Sequence, residues 1–470
     1  MITQAQAHAI AARWLDPEGR QGPPREVAMR EFDLGWVVWA VPPSSPGALP
    51  GAPRGGQSRP SQEAAATAAA DGVGGAAAGP AAAAAAYGIV DRRSGELTVW
   101  PSAPVDDIVR RYQRERGTGT DPAPAAAPAS PAEPPVTGPG NTAVATYRDP
   151  STGEVITLAR VSAPGLPPAE YQLADELRQL GVRGEDVSAV HTDLRPAPLP
   201  GGYPADFVVR AFPNAAFTCT EGYGPRPEER AAGVAGLLRH IALTYQLAGR
   251  PAPPRPHRVP VPRHVTAAEP MSDTALGEHL VEVFGPRGVV RPDADALAAT
   301  PLPGATRETL LAAGLPALVP YFFTADRADD PPAGGLFTDA ATHLREAGTE
   351  AREATLEALA GYVRLGTDGA CAIAVRCTAP EQHQSLLGTV WAVRPSSGGG
   401  RFVNRTLAAY VRSLALLVVT RHQLRGMDPY AAGAAVAAFQ ERLAAIDPWA
   451  LDDDGNWWSL VLDQMWHGLF

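Results

Sequence analysis

The periodicity of apolar and polar positions divides the chain into three regular regions, separated by stretches without periodicity. The first region, residues 1–114, opens with an Ala/Ile-rich pattern typical of a helix over 3–15. The segments EVAMREFDLGWVVWAVP and YGIVDRRSGELTVWPS then place apolar residues at alternate positions, and each predicts a hairpin. A helix over 105–114 completes a small α+β module.

The second region, residues 143–249, alternates strand and helix patterns. Two strand patterns, TAVATYRD and GEVITLARVS, precede a helix over 168–181 that places Leu173, Leu177 and Leu180 on one face. The order continues as strand, helix, strand and long helix, in EDVSAVHTDL, YPADFVVRAF, AFTCTEG and RAAGVAGLLRHIALTYQLAG. This order predicts a layered α/β/α domain.

The third region, residues 263–470, combines strand patterns with long apolar helices. A helix over 273–284 precedes strands in GYVRLGTDGACAIAVRC and LLGTVWAVRP, and three helices follow from Thr406 onward. We expect the last helix to begin with the acidic turn Asp452–Asp454. We also expect a mixed sheet with the helices grouped at one side of it. The fold class predicted for the whole chain is α+β multidomain.

Three stretches rich in Pro, Gly and Ala lack the apolar residues that a core requires. They hold much of the 49 Pro and 47 Gly and lie at 42–86, 115–142 and 250–262. We interpret the first as a disordered insert, the second as a Pro/Ala linker and the third as a Pro-rich linker. The three regions are then modules on flexible tethers.

The charge balance restricts the partners that the chain can bind. The formal net charge is −10, and residues 271–470 hold 23 Asp and Glu against 15 Arg. A broad nucleic-acid surface on this half is therefore not expected, whereas a basic protein partner is compatible with it.

The cysteine content and the apolar runs indicate the compartment. Cys219, Cys371 and Cys377 are too few for a disulfide framework or a Cys-rich zinc site. The first residues lack the pattern of a signal peptide, and the run Leu414–Val419 is too short to cross a bilayer. The sequence predicts a cytoplasmic protein without a membrane partner.

The first region resembles the YrhB-like family of small bacterial domains, on the phrases EFDLGWVVWAVP and VDRRSGELTVWPS. This family occurs among the immunity proteins of polymorphic toxin systems. The resemblance implies a binding module and supplies no mechanism.

The second region resembles the nucleic-acid deaminase domains of bacterial toxin systems, on PPAEYQLADELRQLGV followed by VHTDLRPAPLPGGYP. A zinc deaminase needs three Cys or His ligands and a proton-shuttling Glu. Glu170 takes the place of that Glu, but Pro168, Ala197 and Pro204 stand at the ligand positions. The resemblance therefore implies a degenerate deaminase fold kept for binding or packing.

Without a metal, Glu170 is interpreted as a first-turn carboxylate that interacts with the helix dipole. Glu170→Ala should then cost about 0.5 kcal/mol of stability. We expect no catalytic, cofactor-binding or metal-binding residue in the chain.

The third region resembles the SUKH superfamily of immunity proteins, and within it the fourth subfamily, which is common in actinobacteria. The phrases are GLPALVPYFF, VRLGTDG, VWAVRP, RFVNRTLAAYVRSLALL and DPWALDDDGNWWSLVLDQMWHGLF. The resemblance implies that the domain docks onto a toxin and blocks it without chemistry. The helical spacing of Trp457, Trp458 and Trp466 predicts core positions.

Two other groups in the third region have a functional and a structural interpretation. The GTDG phrase at 366–369 is either an anion cradle or, as we favour, a tight turn. His279 with Glu278 and Glu282 is either a metal cluster or, as we favour, an exposed acidic helix face.

The function predicted from the sequence is that of an immunity protein, of the toxin–antitoxin kind, that neutralises a cognate toxin by stoichiometric, non-covalent binding. The partner is a protein toxin such as a nuclease or deaminase effector, and the toxin-binding residues stay unassigned. The alternative is a nucleotide or nucleic-acid deaminase regulated in cis by the SUKH-like domain. A scaffold without a toxin partner is the third hypothesis.

Overall fold

The computed structural model describes residues 2–16, 27–40, 87–100, 105, 109, 112, 133–149, 151–262, 265–348, 352–379, 381–395 and 399–470. The chain forms two compact units, Met1–Ser130 and Pro131–Phe470. The predicted insert at 42–86 and residues 115–132 of the predicted linker lie outside the described residues.

The N-terminal unit consists of a helix packed on a four-stranded antiparallel sheet, in agreement with the predicted helix and hairpins. Its elements are α1 (Gln4–Leu15), β1 (Val27–Phe32), β2 (Gly35–Ala40), β3 (Tyr87–Asp91) and β4 (Leu97–Trp100), with the strands in sequence order. Ala7 and Ala11 of α1 pack against Trp36 and Val38. Residues 105, 109 and 112 of the predicted second helix are helical, and its other residues lie outside the described part.

The turn between β3 and β4 depends on the buried carboxylate of Asp91. Asp91 accepts hydrogen bonds from the backbone N–H groups of Arg93 and Ser94, both at 2.8 Å, and from the hydroxyl of Tyr112 at 2.7 Å. Burial disfavours the charged form, but these bonds together lower the pKa of Asp91 to about 2. The ionised carboxylate therefore stabilises the turn and its contact with Tyr112.

The region that we expect to form the middle domain, residues 143–249, has its elements in the predicted order, and its first strand begins one residue earlier. They are β5 (Thr142–Arg148), β6 (Val155–Val161), α2 (Ala169–Gln179), β7 (Val187–Leu194), α3 (Pro204–Ala211), β8 (Ala216–Glu221) and α4 (Pro227–Leu247). The sheet order is β6-β5-β7-β8, and only the β7–β8 pair is parallel. Leu173 and Leu177 of α2 are buried as predicted, whereas Leu180 is 51% exposed because the helix ends one residue before it.

The region that we expect to form the C-terminal domain, residues 263–470, contains a six-stranded sheet. Its strands are β9 (Val289–Val290), β10 (Leu315–Pro316), β11 (Leu318–Val319), β12 (Phe323–Ala325), β13 (Tyr362–Thr367), β14 (Ala372–Arg376), β15 (Val390–Val393) and β16 (Gly400–Asn404). Its helices are α5 (Asp273–Phe284), α6 (Ala294–Ala298), α7 (Gly304–Ala312), α8 (Ala340–Glu346), α9 (Glu353–Leu359), α10 (Leu407–Leu424), α11 (Pro429–Ile446) and α12 (Trp457–Trp466). Strands β11 to β16 are adjacent in sequence order, and β9 pairs with β10.

Three predictions for this domain are wrong. The six-stranded sheet is antiparallel throughout, not mixed. Helices cover both faces, because Val393 and the partly buried Trp391 are apolar on the second face and pack against α8 and α9. Helix α12 begins after Asn456, whose backbone is extended, so Asp452–Asp454 precede the helix and do not form its first turn.

The middle and C-terminal domains share one hydrophobic core, so the expectation of a flexible tether between them is wrong. Tyr203, Tyr223 and Leu237 of the middle domain pack in the same cluster as Trp457 and Leu460 of α12. The sequence pattern did not reveal this contact because a residue buried between domains has the same periodicity as one buried within a domain. The domain limits themselves remain predictions.

Two Pro-rich segments interpreted as linkers are ordered where the structure describes them. Val136, from the end of the predicted 115–142 linker, is 3% exposed and exchanges two backbone hydrogen bonds of 2.9 Å with His257 of the 250–262 segment. Gly138 donates its N–H to the carbonyl of Trp466 at 2.7 Å. These segments run along the C-terminal domain because its backbone groups pair with theirs.

We expect Asp91→Asn to destabilise the N-terminal unit by about 2 kcal/mol at pH 7, the free energy equivalent to the lowered pKa. Because the folded-state pKa lies below the ordinary value of 3.8, this contribution is present above about pH 4 and is lost as the pH falls towards 2. Hydrogen exchange of β2 and β3, compared between variant and wild type at each pH, measures it. Asp33→Asn, at an exposed turn position, is the control. A loss of equal size at pH 2.5 and pH 7 would contradict the role of the charged carboxylate.

Candidate functional site

The strongest candidate for chemistry is Glu170 at the start of α2. It lies in the first turn, as predicted, but is only 2% exposed. Burial raises its pKa to about 7, although hydrogen bonds to its own backbone N–H and to Asn141 act in the opposite direction. The interpretation as a dipole-stabilised carboxylate is therefore incomplete, because the loss of hydration outweighs the favourable groups around it.

Asn141 holds Glu170 in place and ties it to the sheet. Its Nδ2 donates to Glu170 Oε1 at 3.1 Å and to the Leu194 carbonyl at 3.2 Å, and its Oδ1 accepts from the Leu194 N–H at 2.8 Å. Its own N–H donates to Ser162 Oγ at 2.8 Å. Asn141 was not predicted as a site residue, because it falls inside a Pro/Gly-rich stretch interpreted as a linker.

Glu170 borders a cavity of about 20 Å³, and the structure brings the three ligand positions assigned from the sequence to its walls. Pro168, Ala197 and Pro204 all line it, together with Asn141. The positions that the resemblance to deaminases assigns to the zinc ligands therefore lie together in the structure. A cavity of this volume holds about one water molecule.

The residues around this cavity do not fit a zinc ion. Zinc in proteins is bound by Cys sulfur, His nitrogen or carboxylate oxygen, and structural and catalytic sites use at least three such ligands. Pro168, Ala197 and Pro204 offer none of them, which leaves Glu170 as the only carboxylate side chain at the cavity. Within the described residues no group of three His, Cys, Asp or Glu side chains is arranged to hold a metal.

The cavity is closed by residues of the other domain. Gln464, Leu469 and Phe470 line it from the C-terminal domain, whereas Leu194 and Arg195 complete the lining from the middle domain. We call the stretch from Gln464 to Phe470 the 464–470 segment. Gln464 Nε2 donates to the Pro200 carbonyl at 2.7 Å, in the loop between β7 and α3. A side chain of the C-terminal domain thus occupies the mouth of the cleft.

The GTDG phrase forms a tight turn whose carboxylate joins the domains. Asp368 is buried and accepts from the N–H of Cys371 at 2.7 Å, from Trp457 Nε1 at 2.9 Å and from the hydroxyl of Tyr203 at 2.7 Å. Burial raises the pKa of Asp368. Because Asp368 itself uses the N–H groups of Ala370 and Cys371, they are not directed at an external anion.

The other side chains considered from the sequence do not form a site in the described part of the chain. His279 lies 3.6 Å from Glu282 on α5, as an i,i+3 pair on the helix surface. The three cysteines are free thiols. No described helix has the length and apolarity that a bilayer span requires.

We expect Glu170→Gln to change the pH dependence of stability. The folded-state pKa is raised from 4.5 to about 7, so the neutral acid is favoured on folding and the wild type loses stability as the pH rises from about 4.5 to 7. The variant lacks this loss and should gain up to about 3 kcal/mol relative to wild type between pH 4.5 and pH 8.

Urea unfolding at several pH values measures this difference, with the exposed Glu185→Gln as the control. A constant difference between Glu170→Gln and wild type across that range would show that Glu170 does not titrate near neutrality. Glu170→Ala should cost about 1–3 kcal/mol, more than the sequence suggested, because the Asn141 amide loses a buried acceptor.

Comparison with known families gives three matches along the chain. Residues 275–464 match the SUKH-4 immunity protein family, residues 5–119 match the immunity protein 35-like domain, and residues 138–240 match the Xanthomonas-like deaminase family. No curated protein and no solved structure matches the chain. The chain is thus an α+β multidomain protein with a SUKH-4 immunity domain in its C-terminal part, an immunity protein 35-like domain in its N-terminal part and a deaminase-like domain between them.

Proposed function

We propose that this protein is a cytoplasmic immunity protein of a bacterial polymorphic toxin system, which neutralises a cognate toxin by stoichiometric, non-covalent binding. The match of residues 275–464 to the SUKH-4 immunity family is the observation that carries the proposal. The immunity protein 35-like match at residues 5–119 supports it, and we assign this unit to the YrhB type. Two immunity-type domains on one chain give breadth against several toxins or avidity for one.

The protein acts without an enzymatic step of its own in this proposal. The deaminase-like domain has Glu170 at the place of a proton shuttle, but no sulfur or imidazole ligand lines the cavity beside it. The 464–470 segment also limits that cavity to about 20 Å³. Both features favour binding or packing over catalysis.

The toxin-binding surface that we propose is centred on Trp449 of the C-terminal domain. Trp449 lies in the 3₁₀ helix Pro448–Leu451 and is 43% exposed, whereas Trp457, Trp458 and Trp466 are buried, as their spacing predicted. An exposed Trp held in a fixed orientation is the kind of side chain that dominates binding energies at protein interfaces.

Two neighbours fix the orientation of the Trp449 ring. The guanidinium of Arg405 lies 5.3 Å from the ring centroid and is held by Asp447, with Arg405 Nε 3.0 Å from Asp447 Oδ1. The ring of Phe402 lies 6.4 Å away. Trp449 therefore loses little side-chain entropy on binding.

The charge beside Trp449 defines the kind of partner. Asp452, Asp453 and Asp454 follow the 3₁₀ helix immediately and are all exposed. Three carboxylates next to an aromatic anchor complement the basic face that a nuclease-type toxin uses to bind its substrate. Opposite charges accelerate association, and the apolar anchor supplies affinity.

A second candidate function is a deaminase regulated in cis. The match of residues 138–240 and the buried Glu170 favour it. It requires a zinc ion and an open cleft. Zinc analysis of the purified protein, together with assays on cytidine, adenosine and single-stranded DNA, separates it from the binding function: a stoichiometric metal and an activity abolished by Glu170→Ala would replace our proposal.

The full chain, co-expressed with the toxin encoded beside its gene, should restore growth and form a 1:1 complex. Survival of the host cells and calorimetry of the purified pair measure the two outcomes. A folded protein that neither binds nor protects against that toxin would overturn the immunity proposal.

Trp449→Ala should weaken toxin binding on the order of tenfold to a hundredfold and leave the fold intact, because the side chain is exposed. Tyr430→Ala, which removes a half-exposed aromatic ring on α11, is the matched control and should bind normally. Trp457→Ala should instead unfold the C-terminal domain. Equal binding by Trp449→Ala and Tyr430→Ala would place the interface elsewhere.

Asp452, Asp453 and Asp454 should act mainly on the association rate. Their joint replacement by Asn should slow association at low salt and reduce its salt dependence, with a smaller effect on dissociation. Stopped-flow binding at several salt concentrations measures both rates. An unchanged salt dependence would remove these carboxylates from the encounter surface.

A further inference from the structure

The cleft of the deaminase-like domain contains protein, in the form of the 464–470 segment. Phe470 is only 2% exposed, and its ring lies 5.3 Å from that of Phe322. A Cβ atom on Gly201 would lie 2.5 Å from the Phe470 ring, and the φ of +106° at Gly201 independently requires glycine. The loop between β7 and α3 is therefore shaped around Phe470.

The backbone of the segment is hydrogen-bonded to residues that lie just before β5 and just after β6. Gly140 donates its N–H to the carbonyl of His467 at 3.0 Å, and Ser162 Oγ donates to the carbonyl of Gly468 at 3.0 Å. Ser162 Oγ also accepts the N–H of Asn141, which in turn holds Glu170. A continuous chain of hydrogen bonds thus runs from the segment to the buried acid.

A pair of buried charges fixes the segment from its other end. Asp463 accepts from Arg230 of α4 at 2.5 Å and from Arg258 at 2.5 Å, and the Arg230 side chain is 3% exposed. A buried carboxylate of this kind is stable only while its partners stay in place. Displacement of the segment together with the adjoining Asp463 would therefore leave Arg230 and Asp463 without their partners.

The space that remains is too small for a nucleobase. A cavity that admits benzene measures about 150 Å³, whereas the one beside Glu170 measures about 20 Å³. A pyrimidine ring could approach Glu170 only after Phe470 and Leu469 had left.

We infer that the cleft around Glu170 is a binding site for a peptide segment, that its resident occupant is the 464–470 segment of the SUKH-4 domain, and that the two domains consequently fold as one cooperative unit. The deaminase-like domain thus binds the 464–470 segment of the SUKH-4 domain in the cleft where a catalytic domain would bind a nucleotide. This inference does not depend on the identity or existence of the toxin.

Native-state hydrogen exchange of the full wild-type chain in increasing urea tests the cooperativity without a mutation. Amides of β5 and β7 in the deaminase-like domain should lose protection at the same urea concentration as amides of α10 and β14 in the SUKH-4 domain. Opening of the deaminase-like domain at a distinctly lower concentration, with the SUKH-4 domain still protected, would overturn the inference.

The variant Phe470→Ala tests whether the 464–470 segment occupies the cleft. Exchange of β7 amides should accelerate on the order of a hundredfold, and benzene should partly restore protection by filling the new cavity. The raised pKa of Glu170 should fall as water enters, which removes most of the difference in pH dependence between a Glu170→Gln variant and its parent. The control Leu247→Ala, at an exposed position on α4, should change none of these readouts.

Two results, one with this variant and one with the wild-type protein, would contradict the assignment of the cleft to the 464–470 segment. One is unchanged exchange in β7 together with unchanged titration of Glu170. The other is stabilisation of the wild-type protein by free cytidine or adenosine with protection of β7, because this would show that the cleft admits a nucleoside despite Phe470.

Discussion

The complete burial of helix α12 is the constraint on which the larger unit depends. All ten residues from Trp457 to Trp466 are buried, so this helix has no face that could contact water. Such a helix must be surrounded, and no single layer of a small domain can do this. The sheet and α11 cover part of it, and the middle domain and the two Pro-rich segments cover the rest.

The polar side-chain groups of α12 can be buried because each of those described below has a hydrogen-bond or ion-pair partner. Trp458 Nε1 donates to Asn404 Oδ1 at 2.8 Å, and Trp457 Nε1 donates to Asp368. Asp463 is paired with Arg230 and Arg258 from outside the C-terminal domain. Buried ion pairs contribute little net stability but penalise any arrangement that separates them, so they specify which surfaces meet.

The helices and strands could largely be predicted from the sequence, whereas the packing of the domains against one another could not. The helices and strands of the middle domain follow from local periodicity, and the grouping of Pro168, Ala197 and Pro204 around Glu170 follows from a family resemblance. The burial of Glu170 could not be predicted, because it depends on Phe470, three hundred positions away in a different domain. The pairing between Val136 and His257 was not predicted, for a related reason. Pro-rich segments with few apolar residues lack a core of their own, yet they can take up a defined structure by pairing with each other on an existing surface.

The pairing of Val136 with His257 has a consequence for how such chains can recombine. Immunity proteins that share domains are expected to exchange them at the segments between domains. In this chain, the described residues of the two segments that flank the deaminase-like domain, 133–142 and 250–262, are bonded to the surface of the SUKH-4 domain, where Gly138 donates to the carbonyl of Trp466 and Gln440 donates to the carbonyl of Pro260. A crossover within residues 133–142 or 250–262 would join a new domain to a SUKH-4 surface that lacks some of its backbone hydrogen-bond partners. Productive exchange should therefore transfer residues 133–470 as a block, with the break in the stretch that precedes them.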